Sequence, residues 1–391
     1  MWTKFRHKVA FAFLRPIFRV YLRLKYGFRT KKYRLEKGPY LLLFNHPTNL
    51  DPLMMALSFK GPIYFMTNDD LFNIPFVSPL IRYLVAPIPK AKAVKDINAV
   101  KNCIRVAREG GKIGISPEGN RNYSGHLNYI DKAIVKLIKL LKVPVILYNI
   151  KGGFGVNPRF SRVIRKGKMS GEVNRILSAS EIKEYSEDEI YTILIKALDV
   201  NDVELGYKYK GKALAENLES AFYTCPVCND LRKIESKGNF FGCMECGFQA
   251  EYTEDLVFRT KDKRFKFKTV SEYYAFQEAF IRNADVMKIS FQDQGVILNQ
   301  IISHRRKKLI EGSLSFNHKQ MVISDEENEK IINFKEITSL AIVYQNTLII
   351  NVENGSYQVL GNASFNALKY VHLFNQIKNF EKGVNDGFLG I

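Results

Sequence analysis

Apolar positions in the first half of the chain follow two alternating rhythms. Pro39-Tyr40-Leu41-Leu42-Leu43-Phe44 is a short unbroken apolar run bounded by polar residues, which predicts a buried strand. Asp51-Pro52 followed by Leu53-Met54-Met55-Ala56-Leu57 predicts a helix with Asp51 as N-cap and proline in its first position. From Asp96 to Arg108, Val100, Ile104 and Ala107 recur at helical spacing until Gly110-Gly111 stops them, and the apolar stretch Lys112-Ile113-Gly114-Ile115 then predicts a strand. Asn128 to Lys142 repeats the pattern with Ile130, Ile134, Leu137 and Leu141, ahead of a strand from Val143 to Ile150. Strands that alternate with helices predict an α/β domain over residues 36–205, a mostly parallel sheet with flanking helices. Gly152-Gly153-Phe154-Gly155 after the last strand reads as a flexible loop.

The amino terminus carries a different stripe. Trp2, Phe5, Val9, Phe13, Ile17, Val20 and Leu24 recur at helical spacing, Lys4, Lys8, Arg15, Arg19 and Arg23 fall on another face, and no acid occurs before Glu36. Arg15 and Arg19 interrupt the apolar runs well before the roughly 20 residues that a bilayer crossing requires. Residues 1–35 are therefore expected to form an amphipathic helical anchor lying in a membrane interface, kinked or split in two at Pro16.

A separate module occupies residues 213–256. Cys225-Pro226-Val227-Cys228 and Cys243-Met244-Glu245-Cys246 have the paired spacing of a four-thiolate zinc ribbon, with room for a hairpin between the knuckles. A closed four-cysteine site is structural and has no open position for catalysis. Its loop mixes Asp230, Arg232, Lys233, Glu235 and Lys237 without a basic stripe, which argues against nucleic acid as its partner.

Short strand-like runs follow over residues 283–382. They are Val286–Phe291, Gly295–Ile301, Ser313–Phe316, Met321–Ser324, Ile331–Phe334, Leu340–Tyr344, Thr347–Val352 and Ser356–Leu360, separated by turn signals such as Glu353-Asn354-Gly355. A helix from Ser364 to about Phe380 closes the series. This small antiparallel domain capped by a carboxy-terminal helix resembles the pleckstrin-homology-like architecture, in which the basic run His304-Arg305-Arg306-Lys307-Lys308 would be a loop able to meet acidic lipid.

The 391 residues carry a formal charge of +20, so an anionic partner surface is expected: phospholipid head groups, nucleic acid or an acidic carrier protein. Five cysteines, four of them in the ribbon, do not suggest a disulfide framework, and with no signal peptide visible a reducing cytoplasmic setting is expected. Cys103 lies on an apolar helix face and reads as core.

Two segments carry candidate chemistry. His46 and Asp51 lie just past the first strand's carboxyl end, where open α/β sheets place their sites. An imidazole can take a proton from an attacking hydroxyl while a carboxylate on its other nitrogen fixes the tautomer and stabilises the imidazolium. The turn Ser116-Pro117-Glu118-Gly119-Asn120-Arg121-Asn122 follows the strand at Ile113, with Gly119 permitting a close backbone approach and Arg121 offering a planar fork to phosphate. Glu118 is placed to hold that arginine or a substrate hydroxyl.

Together these residues resemble the glycerolipid acyltransferase superfamily, specifically its 1-acylglycerol-3-phosphate (lysophosphatidate) acyltransferase branch. Asn45, His46 and Asp51 match the first motif of that family; Pro117, Glu118, Gly119 and Arg121 match its phosphate-binding motif, with departures at Ser116, Asn120 and Asn122. Leu71-Phe72-Asn73-Ile74-Pro75-Phe76 is similar to the stretch leading to the second motif, whose usual arginine is replaced here by Lys92, or by Lys90 in the alternative register. Val143-Pro144-Val145-Ile146-Leu147 is similar to the fourth motif, with Leu147 in place of a frequent proline. The resemblance covers about residues 1 to 200. It implies transfer of a fatty acyl group from acyl-CoA or acyl carrier protein to the free hydroxyl of a lysophospholipid. His46 would be the general base, oriented by Asp51, with Glu118, Gly119, Arg121 and a lysine at 90 or 92 holding the acceptor's phosphate. It also implies a peripheral or monotopic protein on the cytoplasmic face of the cell membrane. The alternative is a non-catalytic membrane or nucleic-acid adaptor on the same scaffold, which would have no need of both His46 and Asp51.

Overall fold

The structure is a computed structural model and describes residues 2–35, 38–68, 77–90, 96–231, 233–302, 305–343, 346–362 and 365–384. The stretch 71–76, Lys92, Arg232 and His304 lie outside the described residues. Backbone contacts divide the chain into two compact units, meeting in sequence near residue 211.

In the first unit, α1 (Phe5–Tyr26) leads to β1 (Phe28–Thr30), β2 (Tyr40–Phe44), α2 (Asp51–Ser58), β3 (Ile63–Asn68), α3 (Val77–Leu84), β4 (Ile88–Lys90), α4 (Ile97–Arg108) and β5 (Lys112–Ile115). The chain continues through α5 (Ala133–Leu141), β6 (Val145–Lys151), α6 (Gly153–Val156), β7 (Met169–Leu177), α7 (Ala179–Glu184) and α8 (Glu187–Leu198). The seven strands form one sheet in the order β1-β7-β6-β2-β5-β3-β4, parallel except where β7 runs antiparallel to β6. All five residues of the central strand β2 are buried, which explains its unbroken apolar run. On one face Leu41, Leu43, Ile113, Val145 and Leu147 pack with Cys103, Val106, Ile138 and Leu194, so Cys103 is core as expected.

Several elements differ from the sequence expectation, each for a local reason. The amino-terminal segment is one helix that runs through Pro16 without dividing. Buried His7, Ala10, Leu22 and Tyr26 anchor both of its halves, and Arg15 donates to the Leu57 carbonyl beside the proline. The helix expected from Asn128 begins only at Ala133, because the Asn128 amide donates to Glu118 and the Asp131 side chain caps the Ala133 amide. Gly152–Gly155 is not a flexible loop: Gly152 takes a left-handed φ of 77° and the following residues form the buried turn α6. The edge strand β1 and its neighbour β7 had no counterpart in the sequence reading.

The second unit holds two antiparallel sheets. Strands β8 (Ile234–Lys237), β9 (Phe240–Cys243), β10 (Gln249–Tyr252) and β11 (Phe258–Arg259) form the first, in the order β11-β10-β9-β8, and α9 (Val270–Asn283) follows. The second contains β12 (Phe291–Ile302), β13 (Arg305–Phe316), β14 (Gln320–Ser324), β15 (Glu329–Asn333), β16 (Ile337–Val343), β17 (Thr347–Val352) and β18 (Gly355–Leu360), and the helix α10 (Ala367–Lys382) follows. Its order is β15-β14-β13-β12-β18-β17-β16. Val286–Phe291 is not a separate strand, since Asp285 closes a turn with the amides of Met287 and Lys288, and the strand starts at Phe291. Arg305–Lys308 is likewise strand rather than loop, paired residue by residue with Asn299–Ile302. His372 of α10 is buried between the hydroxyls of Tyr223, at 2.8 Å, and Tyr274 of α9, at 3.1 Å, and burial holds its imidazole down at about 3, hence neutral.

Candidate active site

The carboxyl end of β2 delivers Asn45, whose side-chain amide closes two hydrogen bonds with the Ile150 backbone on neighbouring β6, at 2.9 and 2.7 Å. That clasp fixes the chain as it leaves the sheet and places His46 directly after it. His46 Nδ1 lies 2.8 Å from Asp51 Oδ2; the His46 side chain is 22% exposed and that of Asp51 is fully buried. Asp51 is the first residue of α2 and not its N-cap, which is Leu50. Its carboxylate also accepts from the Thr48 amide, at 3.0–3.1 Å, and from Thr48 Oγ1 at 2.5 Å. With every other donor fixed, Nδ1–H is the form of His46 that matches this acceptor-only carboxylate, and Nε2 is left as the basic nitrogen.

The turn after β5 comes to the same place. Glu118 Oε1 accepts from the His46 amide at 2.7 Å and Oε2 from the Asn128 amide at 2.9 Å. The carboxyl is buried, which pushes it up to about 7 against the opposing effect of these N–H donors. Glu118 therefore holds the backbone of His46 and does not pair with Arg121. Gly119 takes a left-handed φ of 72°, the conformation for which glycine was expected there. Arg121 is buried, and its Nε donates to the Pro47 carbonyl at 3.0 Å while Nη2 donates to the Asn157 carbonyl and to Asn157 Oδ1. Burial is the main cause that brings its guanidinium down to about 10. The structure thus brings His46, Asp51, Glu118, Gly119 and Arg121 together. Lys90 ends β4, three strands away from β2, about 14 Å at the usual strand spacing, and it contacts none of these residues.

Three residues of the site escaped the sequence reading. Thr48 had a signal, since Thr48-Asn49-Leu50-Asp51 has the spacing of a capping box. Asn157 and Asp202 had none. Asp202, buried, accepts from the amides of Gly152 and Gly155 at 2.7 and 3.0 Å and so shapes α6, against which Pro47 packs; burial raises its carboxyl to about 6.

Part of the first unit is similar to known proteins. Residues 25–151 match the family model described as Acyltransferase. This segment is an acyltransferase domain. The chain is 27% identical over 165 residues to the 1-acyl-sn-glycerol-3-phosphate acyltransferase of Borreliella burgdorferi, covering 41% of this chain and 64% of that protein. It is 25% identical over 195 residues to the probable 1-acyl-sn-glycerol-3-phosphate acyltransferase of Mycoplasma genitalium, covering 48% and 65%. The acyltransferase match therefore spans just under two thirds of these relatives' length. Among solved structures, the crystal structure of the 1-acyl-sn-glycerophosphate acyltransferase PlsC from Thermotoga maritima is 18% identical, covers 49% of this chain and 78% of that one, and aligns with a TM-score of 0.42.

A second cluster belongs to the other unit. The Sγ atoms of Cys225, Cys228, Cys243 and Cys246 lie within 4.8 Å of one another, with Cys225–Cys246 at 3.7 Å and Cys228–Cys243 at 3.8 Å. Four thiolates at about 2.3 Å from a central tetrahedral ion stand about 3.8 Å apart, so the set fits such an ion. The amides of Val227 and Cys228 point their N–H groups at Cys225 Sγ, as a knuckle around a thiolate requires. The hairpin β8–β9 fills the interval between the two pairs.

Proposed function

We propose that this protein transfers a fatty acyl group from an acyl thioester to the free hydroxyl of a lysophospholipid, with 1-acylglycerol-3-phosphate as acceptor and phosphatidate as product. The observation that carries the reading is the His46–Asp51 pair, a half-open imidazole whose inner nitrogen is tied to a fully buried carboxylate. His46 Nε2 takes the acceptor's hydroxyl proton as its oxygen attacks the thioester carbonyl carbon. Asp51 stabilises the imidazolium; collapse of the tetrahedral intermediate breaks the carbon–sulfur bond, and the departing thiolate takes the proton. The nucleophile is the acceptor's own oxygen, so no acyl-enzyme forms. The donor is acyl-CoA or acyl carrier protein.

The reaction would take place at a membrane surface. Phe5, Val9, Phe13, Ile17, Val20 and Leu24 of α1 are all more than half exposed, as are Leu80 and Tyr83 of α3, with exposed Lys8, Arg19 and Arg23 on α1 and Lys4 at its N-cap. Burying such side chains stabilises by roughly 1.5–3 kcal/mol each when complete. Among the described residues no helix is long and apolar enough to cross a bilayer, which favours a peripheral or monotopic attachment. We further propose that the four cysteines hold structural zinc and that the carboxy-terminal sheet and helix are a pleckstrin-homology-like domain. Purified full-length protein in detergent or vesicles, supplied with lysophosphatidate and labelled acyl-CoA or acyl carrier protein, tests the reading by the mass of the product lipid. His46→Ala should reduce the rate by about 10² to 10⁴; a variant within threefold of wild type would rule the assignment out.

A further inference from the structure

Arg121 is 9% exposed, and every oxygen it touches is neutral: the Pro47 carbonyl and the carbonyl and side-chain amide oxygens of Asn157. A second guanidinium adjoins it. Arg159 donates Nη1 to the Arg121 carbonyl at 2.7 Å and stacks over the Tyr123 ring at 4.2 Å. Neither arginine forms an ion pair among the described residues. The acids in the neighbourhood are already engaged, Asp51 by His46 and Thr48, and Glu118 by two backbone amides. Buried charges in folded proteins are normally paired, because taking a lone ion out of water costs several kcal/mol. Arg121, beside the loop that carries His46, lies near enough to Asp51 to be stabilised by it but makes no ion pair with it, and the adjoining, half-buried Arg159 adds a second positive charge with no ion pair among the described residues.

We propose that Arg159 completes the site for the acceptor's phosphate monoester, with Arg121 serving mainly as a brace. The assignment rests on the acyl-transfer reading. Arg121 has its Nε and one Nη committed to protein oxygens, so it cannot offer its full fork to a ligand. Among the described residues Arg159 has one of its five N–H donors engaged, and it lies over the Tyr123 ring, which pre-organises the rest for a tetrahedral dianion. Arg159 lies outside the segment that matches the acyltransferase family model, past the end of β6.

Two measurements test this on the full-length protein. The first compares wild type, Arg159→Ala and Arg159→Lys for acyl transfer to lysophosphatidate and to a monoacylglycerol, which lacks the phosphate. Loss of charge-assisted hydrogen bonds should raise the lysophosphatidate KM of Arg159→Ala about 10- to 100-fold. The preference for the phosphorylated acceptor should shrink by the same factor, and lysine should restore part of it. The second measures binding of sn-glycerol 3-phosphate and inorganic phosphate by calorimetry, which needs no turnover. Wild-type affinity should exceed that of Arg159→Ala by a similar factor, with unchanged Trp2 fluorescence confirming the fold. A preference and a phosphate affinity within twofold of wild type in Arg159→Ala would overturn the proposal. Phosphate binding that depends on Arg159 in a wild type that transfers no acyl group would instead overturn the acyl-transfer reading and leave the anion site standing.

Discussion

Asp51→Asn separates a positioning carboxylate from a mere helix-end residue, because the amide has the same shape and only one acceptor. Three donors converge on Asp51: His46 Nδ1–H at 2.8 Å, the Thr48 amide at 3.0–3.1 Å and Thr48 Oγ1 at 2.5 Å. An asparagine can turn its oxygen toward Thr48 and keep both of that residue's hydrogen bonds, which presents Nδ2–H₂ to the imidazole. His46 must then carry its proton on Nε2, the nitrogen that should accept from the substrate. The opposite rotamer keeps the useful tautomer but sets a donor against the buried Thr48 amide, at a cost of about 1–3 kcal/mol. The base-competent form is thus reduced to roughly 1–20% of molecules. Loss of the anionic partner removes a further 1.5–3 kcal/mol or so of imidazolium stabilisation, since hydrogen bonds to charged groups are of that size.

The two effects together amount to about 2.5–6 kcal/mol, a fall in kcat of about 10² to 10⁴. The acceptor's KM should stay within a few-fold, because Asp51 is fully buried behind His46 and Thr48. Steady-state acyl transfer with lysophosphatidate gives the rate, and nitrogen-15 NMR of labelled histidine gives the tautomer of His46 independently of turnover. A kcat within tenfold of wild type, or an Nδ1–H tautomer retained in the variant, would refute the argument.

Other consequences can be checked separately. Glu118 is pushed up from 4.5 to about 7 in the folded protein, so the folded state binds its proton more tightly than the unfolded one, and stability falls as pH rises through that window. Between pH 5 and 8 this carboxyl should cost about 2–3 kcal/mol of the first unit's stability, and Glu118→Gln should remove that slope. Urea unfolding followed by Trp2, the chain's single tryptophan, reads it out, and equal slopes in both proteins would count against the buried carboxyl. Phe13→Glu with Ile17→Glu should release the protein from anionic vesicles, and raised salt should weaken wild-type binding by screening the basic residues of α1; unchanged co-sedimentation in both tests would exclude α1 as the anchor. Elemental analysis should find one zinc per chain, lost in Cys225→Ser with Cys228→Ser, and that variant should become protease-sensitive within about residues 213–256 while retaining acyl transfer; a metal-free wild type would end the zinc assignment.

What the sequence revealed and what it hid follow one physical division. β2, β5 and the helices behind them were legible because burial on one or both faces leaves a periodic record, as in the fully buried Tyr40–Phe44. The edge strand β1 is three residues long and β7 is partly exposed, so neither writes a pattern that outweighs its surroundings. The Arg305–Lys308 run reads as a loop because every side chain in it is exposed and charged; its strand character comes from backbone pairing with Asn299–Ile302, which side-chain pattern does not encode. Local hydrogen bonds defeated the periodicity at Asn128, whose amide was claimed by Glu118, ten residues earlier in the chain.

The same division runs through the site. His46 and Asp51 are near neighbours in sequence and belong to one strand-to-helix turn, so their pairing could be read from spacing alone. The contacts of Glu118 and Arg121 could not, because most of their partners lie far along the chain. Glu118 looked like a ligand for arginine or substrate, yet its two oxygens are occupied by backbone amides, one of them that of His46 itself. Arg121 looked like the phosphate fork, yet its Nε fixes the carbonyl of Pro47, the residue after the base, while Asn157 holds its other side. Asp202 shapes the turn that packs on that same proline. The chain segments after β5 and around the end of β6 therefore converge on residues 45–48 at the end of β2 before any substrate arrives. That convergence is what an acid–base residue on a loop needs, since a general base misplaced by even about 1 Å can lose about a hundredfold in rate.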